Sequence, residues 1–262
     1  MHYLFLSPHY DDAVYSCGGT LASLTTAGNR VTVLTVCAGS PPNTELSSFA
    51  EQLHKRWGLS NTQAVQAMVD IRRQEDQAAL KIVGVKSHYL DVPDCIYRRG
   101  GEQDRWLYAS EEALFRKLNV VENKLISDIT QKLVAYVKIL SAHSKDIVRT
   151  VAPLAIGNHV DHQLVRSAAE RAFGADTLTY YQDFPYVLKK EQILAYETSA
   201  DWHSAITELD ERAINCKVAA IAAYESQIST FWENRQVLEA EVKAAVRNWG
   251  NGELFWRFSS IA

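Results

Sequence analysis

The sequence predicts an α/β fold, and three observations carry that prediction. An apolar, strand-like run opens the chain at Tyr3-Leu4-Phe5-Leu6, and a β-branched one follows at Val31-Thr32-Val33-Leu34-Thr35-Val36. Between them, Val14 to Ala27 reads as a helix that stops at Gly28-Asn29, a left-handed helix end. The unit spans roughly 35 residues, the size of a right-handed βαβ crossover in a parallel sheet. Gly18-Gly19 lies inside the helix, where glycine lowers propensity and usually serves close packing.

Residues 38 to 61 are polar and irregular, with Pro41-Pro42-Asn43, and read as a long loop. Such a loop after a parallel strand lies on the active-site side of a sheet, where it can act as a lid or a substrate wall. Thr62 to Val83 reads as a helix stopped at Gly84, and His88-Tyr89-Leu90 as a short strand before Asp91-Val92-Pro93-Asp94. Residues 95 to 109 form a second loop rich in Arg and aromatic side chains. Glu111 to Leu140 is amphipathic helix in two pieces, Asp146 to Val151 a strand leading to Pro153, and Gln163 to Phe173 a helix. Leu178-Thr179-Tyr180-Tyr181 is a strand that ends in Gln182-Asp183.

From about 187 the chain reads as mainly helical, with helices at Lys189 to Thr198, Glu208 to Ile228 and Glu233 to Trp249. No repeat, low-complexity run or linker divides it, so one domain over 1–262 is expected. The architecture expected is a Rossmann-like three-layer fold with a mostly parallel central sheet.

Bulk properties narrow the partner. The net charge is −4, and Lys and Arg are scattered, which argues against a nucleic-acid surface and for a small-molecule substrate. Cys17, Cys37, Cys95 and Cys216 are far apart with no C-x-x-C pair, as in a chain of reduced thiols. The N-terminus runs straight into a strand without a basic leader, and no stretch reaches the ~18 apolar residues of a membrane span. A cytoplasmic protein is expected; its oligomeric state is not legible.

Two clusters carry chemistry. Ser7-Pro8-His9-Tyr10-Asp11-Asp12-Ala13 sits where the first strand gives way to a helix, the position at which open α/β sheets place active sites. Gly157-Asn158-His159-Val160-Asp161-His162 lies at another strand-to-helix junction. His9, Asp12 and His162 supply three ligands of a zinc hydrolase and leave a fourth position open. Two imidazoles and one carboxylate leave Zn2+, one per chain, with a net positive charge; another divalent ion such as Fe2+ suits the same donors. Asp11, beside a ligand but not one itself, is the candidate general base. His159 faces the same cavity as oxyanion stabiliser or acid, with Asp161 behind it to orient and charge the ring.

These two segments resemble the signatures of the PIG-L/LmbE-like family of zinc-dependent N-deacetylases, His-Pro-Asp-Asp-Glu and His-Pro-Asp-His. The resemblance implies zinc on His9, Asp12 and His162, Asp11 as base, and His159 as electrostatic and acid partner with Asp161 behind it. It also implies removal of an acetyl group from the amide nitrogen of an N-acetylglucosamine-type sugar or glycoconjugate. Arg72 to Gly84 is similar to the family's Arg-x-x-Glu helix, which places Arg72 near substrate; the residues alone equally suggest an Arg72–Glu75 pair one turn apart. Ala223-Tyr224-Glu225-Ser226-Gln227 resembles a C-terminal element of the family. Tyr10 and Val160 stand where the family has Pro, and Ala13 where it has Glu. Trp57, Trp106, Tyr108 and Tyr186 are candidates to stack on a sugar face.

The alternative is a non-catalytic Rossmann-like nucleotide-binding protein. It is disfavoured because no G-x-G-x-x-G follows the first strand, and Asp11-Asp12 occupy the turn where a phosphate would sit.

Overall fold

The computed structural model describes residues 1–41, 45–58, 64–142, 146–188 and 193–259. The first half runs β1 (His2–Ser7), α1 (Asp12–Thr26), β2 (Arg30–Thr35), α2 (Ser48–Arg56), α3 (Ala64–Ile82) and β3 (Lys86–Tyr89). A short hairpin of β4 (Arg99–Gly100) and β5 (Arg105–Trp106) precedes α4 (Glu111–Leu114), α5 (Asn123–Ala142), β6 (Val148–Pro153), α6 (Val160–Phe173) and β7 (Thr179–Tyr181). The remainder holds α7 (Leu194–Glu197), β8 (Trp202–Glu208), α8 (Glu211–Ile221), α9 (Glu225–Phe231), α10 (Arg235–Asn248) and β9 (Gly252–Phe258).

The main sheet has the order β3-β2-β1-β6-β7-β9-β8. Its first five strands are parallel, with Leu4 opposite Thr32 and Phe5 opposite both Val33 and Val151. Strands β1 and β2 are buried almost throughout because helices cover both faces of such a sheet. Crossovers run outward from β1 to β3 and then return through β6 to β7. Right-handed connections therefore set α1 and α3, which pack with α8, on one face, and the α5–α6 pair on the other. Strand order reverses between β1 and β6, so the crevice for ligands opens at their carboxyl ends.

The expected α/β fold is the one observed; the C-terminal part holds α7 to α10 and, beyond what was expected, the two strands β8 and β9. Strand β9 runs antiparallel to β7, and β8 antiparallel to β9, which extends the sheet at one edge. Exposed side chains dominate β8, so the apolar alternation that betrays a half-buried strand is missing. The long helix expected over Glu208–Ile228 is α8 and α9, broken near Ala222–Tyr224. Of the helix expected over Lys189–Thr198, residues 189–192 lie outside the described residues and α7 covers Leu194–Glu197. The loop expected over 38–61 contains α2, whose N-cap Ser47 accepts the Ala50 N–H at 3.0 Å.

Gly18 and Gly19 serve packing, against α8 and its approach. A Cβ on Gly19 would lie 2.3 Å from Leu209 Cδ1, and one on Gly18 would lie 3.1 Å from Lys217 Cγ. Beneath them Lys217 Nζ donates to Glu253 Oε1 at 2.6 Å and to the Ser16 carbonyl at 3.0 Å, while Glu253 accepts the N–H groups of Gly19 and Thr20. Both side chains are buried. Removing one partner of such a pair strands the other charge, so Lys217→Met is expected to lower unfolding stability by about 3–5 kcal/mol. Urea denaturation checks this, and a loss under about 1 kcal/mol would contradict it.

Candidate metal centre and active-site cavity

The two sequence clusters meet at the strand-order reversal, brought together by the β1–β6 pairing. In the first turn Ser7 Oγ donates to the His9 carbonyl at 2.6 Å and accepts the Ala13 N–H at 3.0 Å. Asp12 Oδ2 accepts the His9 N–H at 2.8 Å. Asp11 occupies the N-cap position of α1, yet its side chain makes no capping bond.

The second turn is tightly wound: Ala155, Gly157 and Asn158 have φ of 60°, 95° and 59°. Gly157 is required on two counts, since a Cβ there would also lie 2.8 Å from Tyr186. His159 then N-caps α6, its Nδ1 accepting the Asp161 N–H at 3.3 Å. In the neutral ring the proton therefore resides on Nε2.

Two imidazole nitrogens flank one Asp12 oxygen. Asp12 Oδ2 lies 3.0 Å from His9 Nδ1 and 3.3 Å from His162 Nε2. Ligands about 2.0–2.1 Å from a tetrahedral ion are separated by about 3.3 Å, so this spacing fits a divalent metal. His162 Nε2 is buried without a hydrogen-bond partner, as a metal-facing nitrogen must be. The far nitrogens are held by carboxylates: His9 Nε2 lies 3.0 Å from Asp161 Oδ2, and His162 Nδ1 lies 2.6 Å from Asp183 Oδ1. Asp183 is itself fixed by the Ile156 N–H at 2.9 Å. A carboxylate on the far nitrogen fixes the tautomer and leaves the near nitrogen's lone pair free. His159 is close by, with one ring nitrogen from each of His9, His159 and His162 within 4.8 Å of the others.

The electrostatics suit a cation. Burial pulls the His162 imidazole down, but Asp12 and Asp183 outweigh it and lift the group to about 10. Burial pushes the Asp12 carboxyl up, but His162 and His9 hold it well below the usual carboxylate range. A field that binds a proton this firmly also binds a metal ion, which displaces that proton.

Asp161 corrects one expectation. Its carboxylate does not bond to the His159 ring; it pairs with His9 Nε2 and Arg98 and accepts the Cys95 N–H at 3.0 Å. Its backbone N–H bonds His159 Nδ1, while its carboxylate acts on that ring only through space, opposing the fall of its pKa. Arg98 also pairs with Glu122, which accepts from the Tyr108 hydroxyl. Loop 95–109 thus holds a buried network beneath His9, which sequence reading left without a role.

Asp11 lies 3.7 Å from Arg72, and Arg72 in turn 3.8 Å from Asp94. Burial pushes the Asp11 carboxyl up against the pull of Arg72. The alternative Arg72–Glu75 pair is not formed, because Glu75 accepts from the Ser226 N–H and hydroxyl at 2.8 and 2.7 Å. Sequence reading missed Asp94, which lines the cavity 3.7 Å from His9 Nε2, and Asp183. Both stand just beyond a strand's carboxyl end, the one signal that marks them in advance.

Above this floor lies a cavity of about 670 Å³, within the range of small-molecule sites. Helix α2 and its end contribute Phe49, Leu53, Arg56 and Trp57, so the first long loop forms a wall as expected. Trp57 and Tyr186 line the cavity; Trp106 instead stacks under Arg99 in the hairpin, and Tyr108 is buried against Glu122. Among the described residues no helix is long and apolar enough to cross a membrane.

Several known proteins of similar sequence and structure are deacetylases. A 2'-N-acetylparomamine deacetylase of Niallia circulans is 31% identical over 270 residues, covering 97% of this chain and 90% of that protein. The teicoplanin deacetylase Orf2, in its zinc-inhibited form, is 27% identical and superimposes with a TM-score of 0.79 over all of both chains. The A40926 pseudoaglycone deacetylase Dbv21 is 28% identical, with a TM-score of 0.72 over 99% of this chain and 98% of its own. The PIG-L family model, GlcNAc-PI de-N-acetylase, matches residues 4–173, which hold both motifs, and this chain belongs to that family.

Proposed function

We propose that this N-deacetylase of the PIG-L family uses one zinc ion, held by His9, Asp12 and His162, to remove an acetyl group from an N-acetylglucosamine-type sugar within a larger conjugate. The observation that carries the reading is the placing of His9 Nδ1 and His162 Nε2 within 3.0 and 3.3 Å of Asp12 Oδ2, beside a cavity that His9, Asp11, Asp12 and His159 line. When bound, the ion supplies Lewis acidity toward the amide carbonyl and acidifies water.

Asp11 takes the proton of the attacking water, since its carboxylate faces the cavity and is free of capping duty. His159, held neutral by burial and by its neighbouring imidazoles, donates a hydrogen bond from Nε2–H to the oxyanion, and the proton that Asp11 took from water passes to the departing amine. Asp161 and Asp183 orient the two ligand imidazoles, and Arg72, beside Asp11 and Asp94, contacts the sugar. Phe49, Trp57, Phe115 and Tyr186 give the conjugate's apolar part a wall to pack on. Relatives named for 2'-N-acetylparomamine and for the A40926 pseudoaglycone make both compounds suitable probes. A cytoplasmic location, read from the widely spaced cysteines, belongs to the same proposal.

Acetate release from 2'-N-acetylparomamine and from simple N-acetylglucosaminides tests the reading. Release should require zinc, stop on chelation and return when zinc is restored. A stoichiometrically zinc-loaded protein that deacetylates none of these sugars would overturn it, and the nucleotide-binding alternative would then be tested by calorimetry.

A further inference from the structure

Asp76 lies on α3 one turn beyond Arg72 and is fully buried, yet no part of the deacetylation chemistry above uses it. Its Oδ2 accepts from the Tyr89 hydroxyl at 2.7 Å, and its Oδ1 lies 2.8 Å from the Tyr224 hydroxyl. The same Tyr224 hydroxyl lies 3.0 Å from the carbonyl of Tyr10, the residue between His9 and Asp11. A phenol carries one proton, and here two oxygens are placed to receive it. Both contacts are satisfied together only when Asp76 Oδ1 is protonated: it then donates to Tyr224 Oη, and Tyr224 donates to the Tyr10 carbonyl.

We propose that Asp76 is a neutral carboxylic acid in the working enzyme, and that the Asp76–Tyr224 relay holds the Tyr10 carbonyl and so positions the turn that presents His9, Asp11 and Asp12. Asp76 and Tyr224 are positioning residues for deacetylation, and they do not touch the reacting atoms. The roles given to the three turn residues rest on the preceding reading; the proton on Asp76 does not.

The surroundings agree with the geometry. Arg72 on α3 favours the ionised form and Asp11 on the turn opposes it, while Tyr89 on β3 and Tyr224 before α9 donate; burial outweighs these and pushes the carboxyl up to about 7. Arg73 is turned away, over the Tyr89 ring with a bond to the Ala38 carbonyl, and Glu75 is occupied by Ser226. When Asp76 ionises, it competes with the Tyr10 carbonyl for the Tyr224 proton and the turn loses its tether. A device of this kind makes the turn's order fall as pH rises through the titration of one remote group.

Asp76→Asn separates the charge from the shape, because the amide can donate to Tyr224 and accept from Tyr89 with no proton to lose. Infrared spectra of the zinc-loaded enzyme should show a carboxylic-acid C=O band that Asp76→Asn lacks and that titrates away near about 7. Asp76→Asn should keep kcat within about threefold at neutral pH, since its hydrogen bonds are preserved. Tyr224→Phe and Asp76→Ala should lower kcat by roughly tenfold to a hundredfold, with KM and zinc content near wild type.

Stability offers a third readout. The folded chain keeps this proton where the unfolded chain has released it, so wild-type stability should fall relative to Asp76→Asn as pH rises from about 4 to about 7, then level off. The proposal is overturned if no carboxylic-acid band distinguishes wild type from Asp76→Asn, or if Asp76→Asn is as impaired as Tyr224→Phe. Failure of the preceding reading looks different: it leaves the band in place and shows as full activity in Asp11→Asn.

Discussion

Asp11→Asn is expected to keep the metal and to lower kcat by roughly two to four orders of magnitude, the range for loss of a general base. The usual alternative for an Asp at this position is helix capping, and in this protein that role is filled elsewhere. Ser7 Oγ accepts the Ala13 N–H, Asp12 Oδ2 accepts the His9 N–H, and the Asp11 carboxylate caps nothing. Its removal as a base therefore leaves the turn intact, and Asn keeps the shape beside Arg72. Metal analysis and acetate-release kinetics on the same preparation check this. If Asp11→Asn loses the metal, or keeps more than about a tenth of wild-type kcat, the division of labour between the adjacent carboxylates is wrong.

The parts of this site that were legible in the sequence share one property: they are local. His9, Asp11 and Asp12 fall within one turn, and His159, Asp161 and His162 within another, and each turn follows a run that reads as a strand of a parallel sheet. Parallel topology then brings the strand ends together, so the juxtaposition of His9 with His162 follows from fold class alone. What stayed hidden depends on distant chain. The partner of Asp161 is His9, 152 positions away, and the far nitrogen of His162 is met by Asp183 after the next strand. A carboxylate two residues from a His reads as its neighbour in sequence, while α6 geometry turns that carboxylate toward β1 and the 95–109 loop.

The same contrast applies to the fold. The central strands β1 and β2 carry apolar or β-branched runs that declare them, whereas β8 is an edge strand with most of its side chains exposed and finds its place by pairing with β9. Arg72 shows the limit in another form. Its spacing from Glu75 admits a pair within the helix, and the choice between that pair and the cavity is made by Ser226, 151 positions beyond Glu75.

The largest effect on metal content is expected from the three converging donors, and its pattern decides which of the three clustered imidazoles bind the ion. His9→Ala, Asp12→Ala and His162→Ala should each reduce bound zinc to well below one per chain and abolish deacetylation, because each removes one of only three protein ligands. His159→Ala should bind zinc normally and lose kcat, with little change in KM, since its Nδ1 is tied to the α6 backbone and a fourth imidazole would close the position that water needs. Asp183→Asn should fall between, weakening zinc binding by roughly 10–100-fold by freeing the His162 tautomer. Zinc content measured after dialysis against a weak chelator ranks the five variants. Loss of zinc in His159→Ala with retention in Asp12→Ala would move the centre to the three-histidine set, whose ring nitrogens lie within 4.8 Å of one another. That outcome would leave Asp12 beside Asp11 as a second candidate base, and the order of effects on kcat in the two single Asn variants would then choose between them.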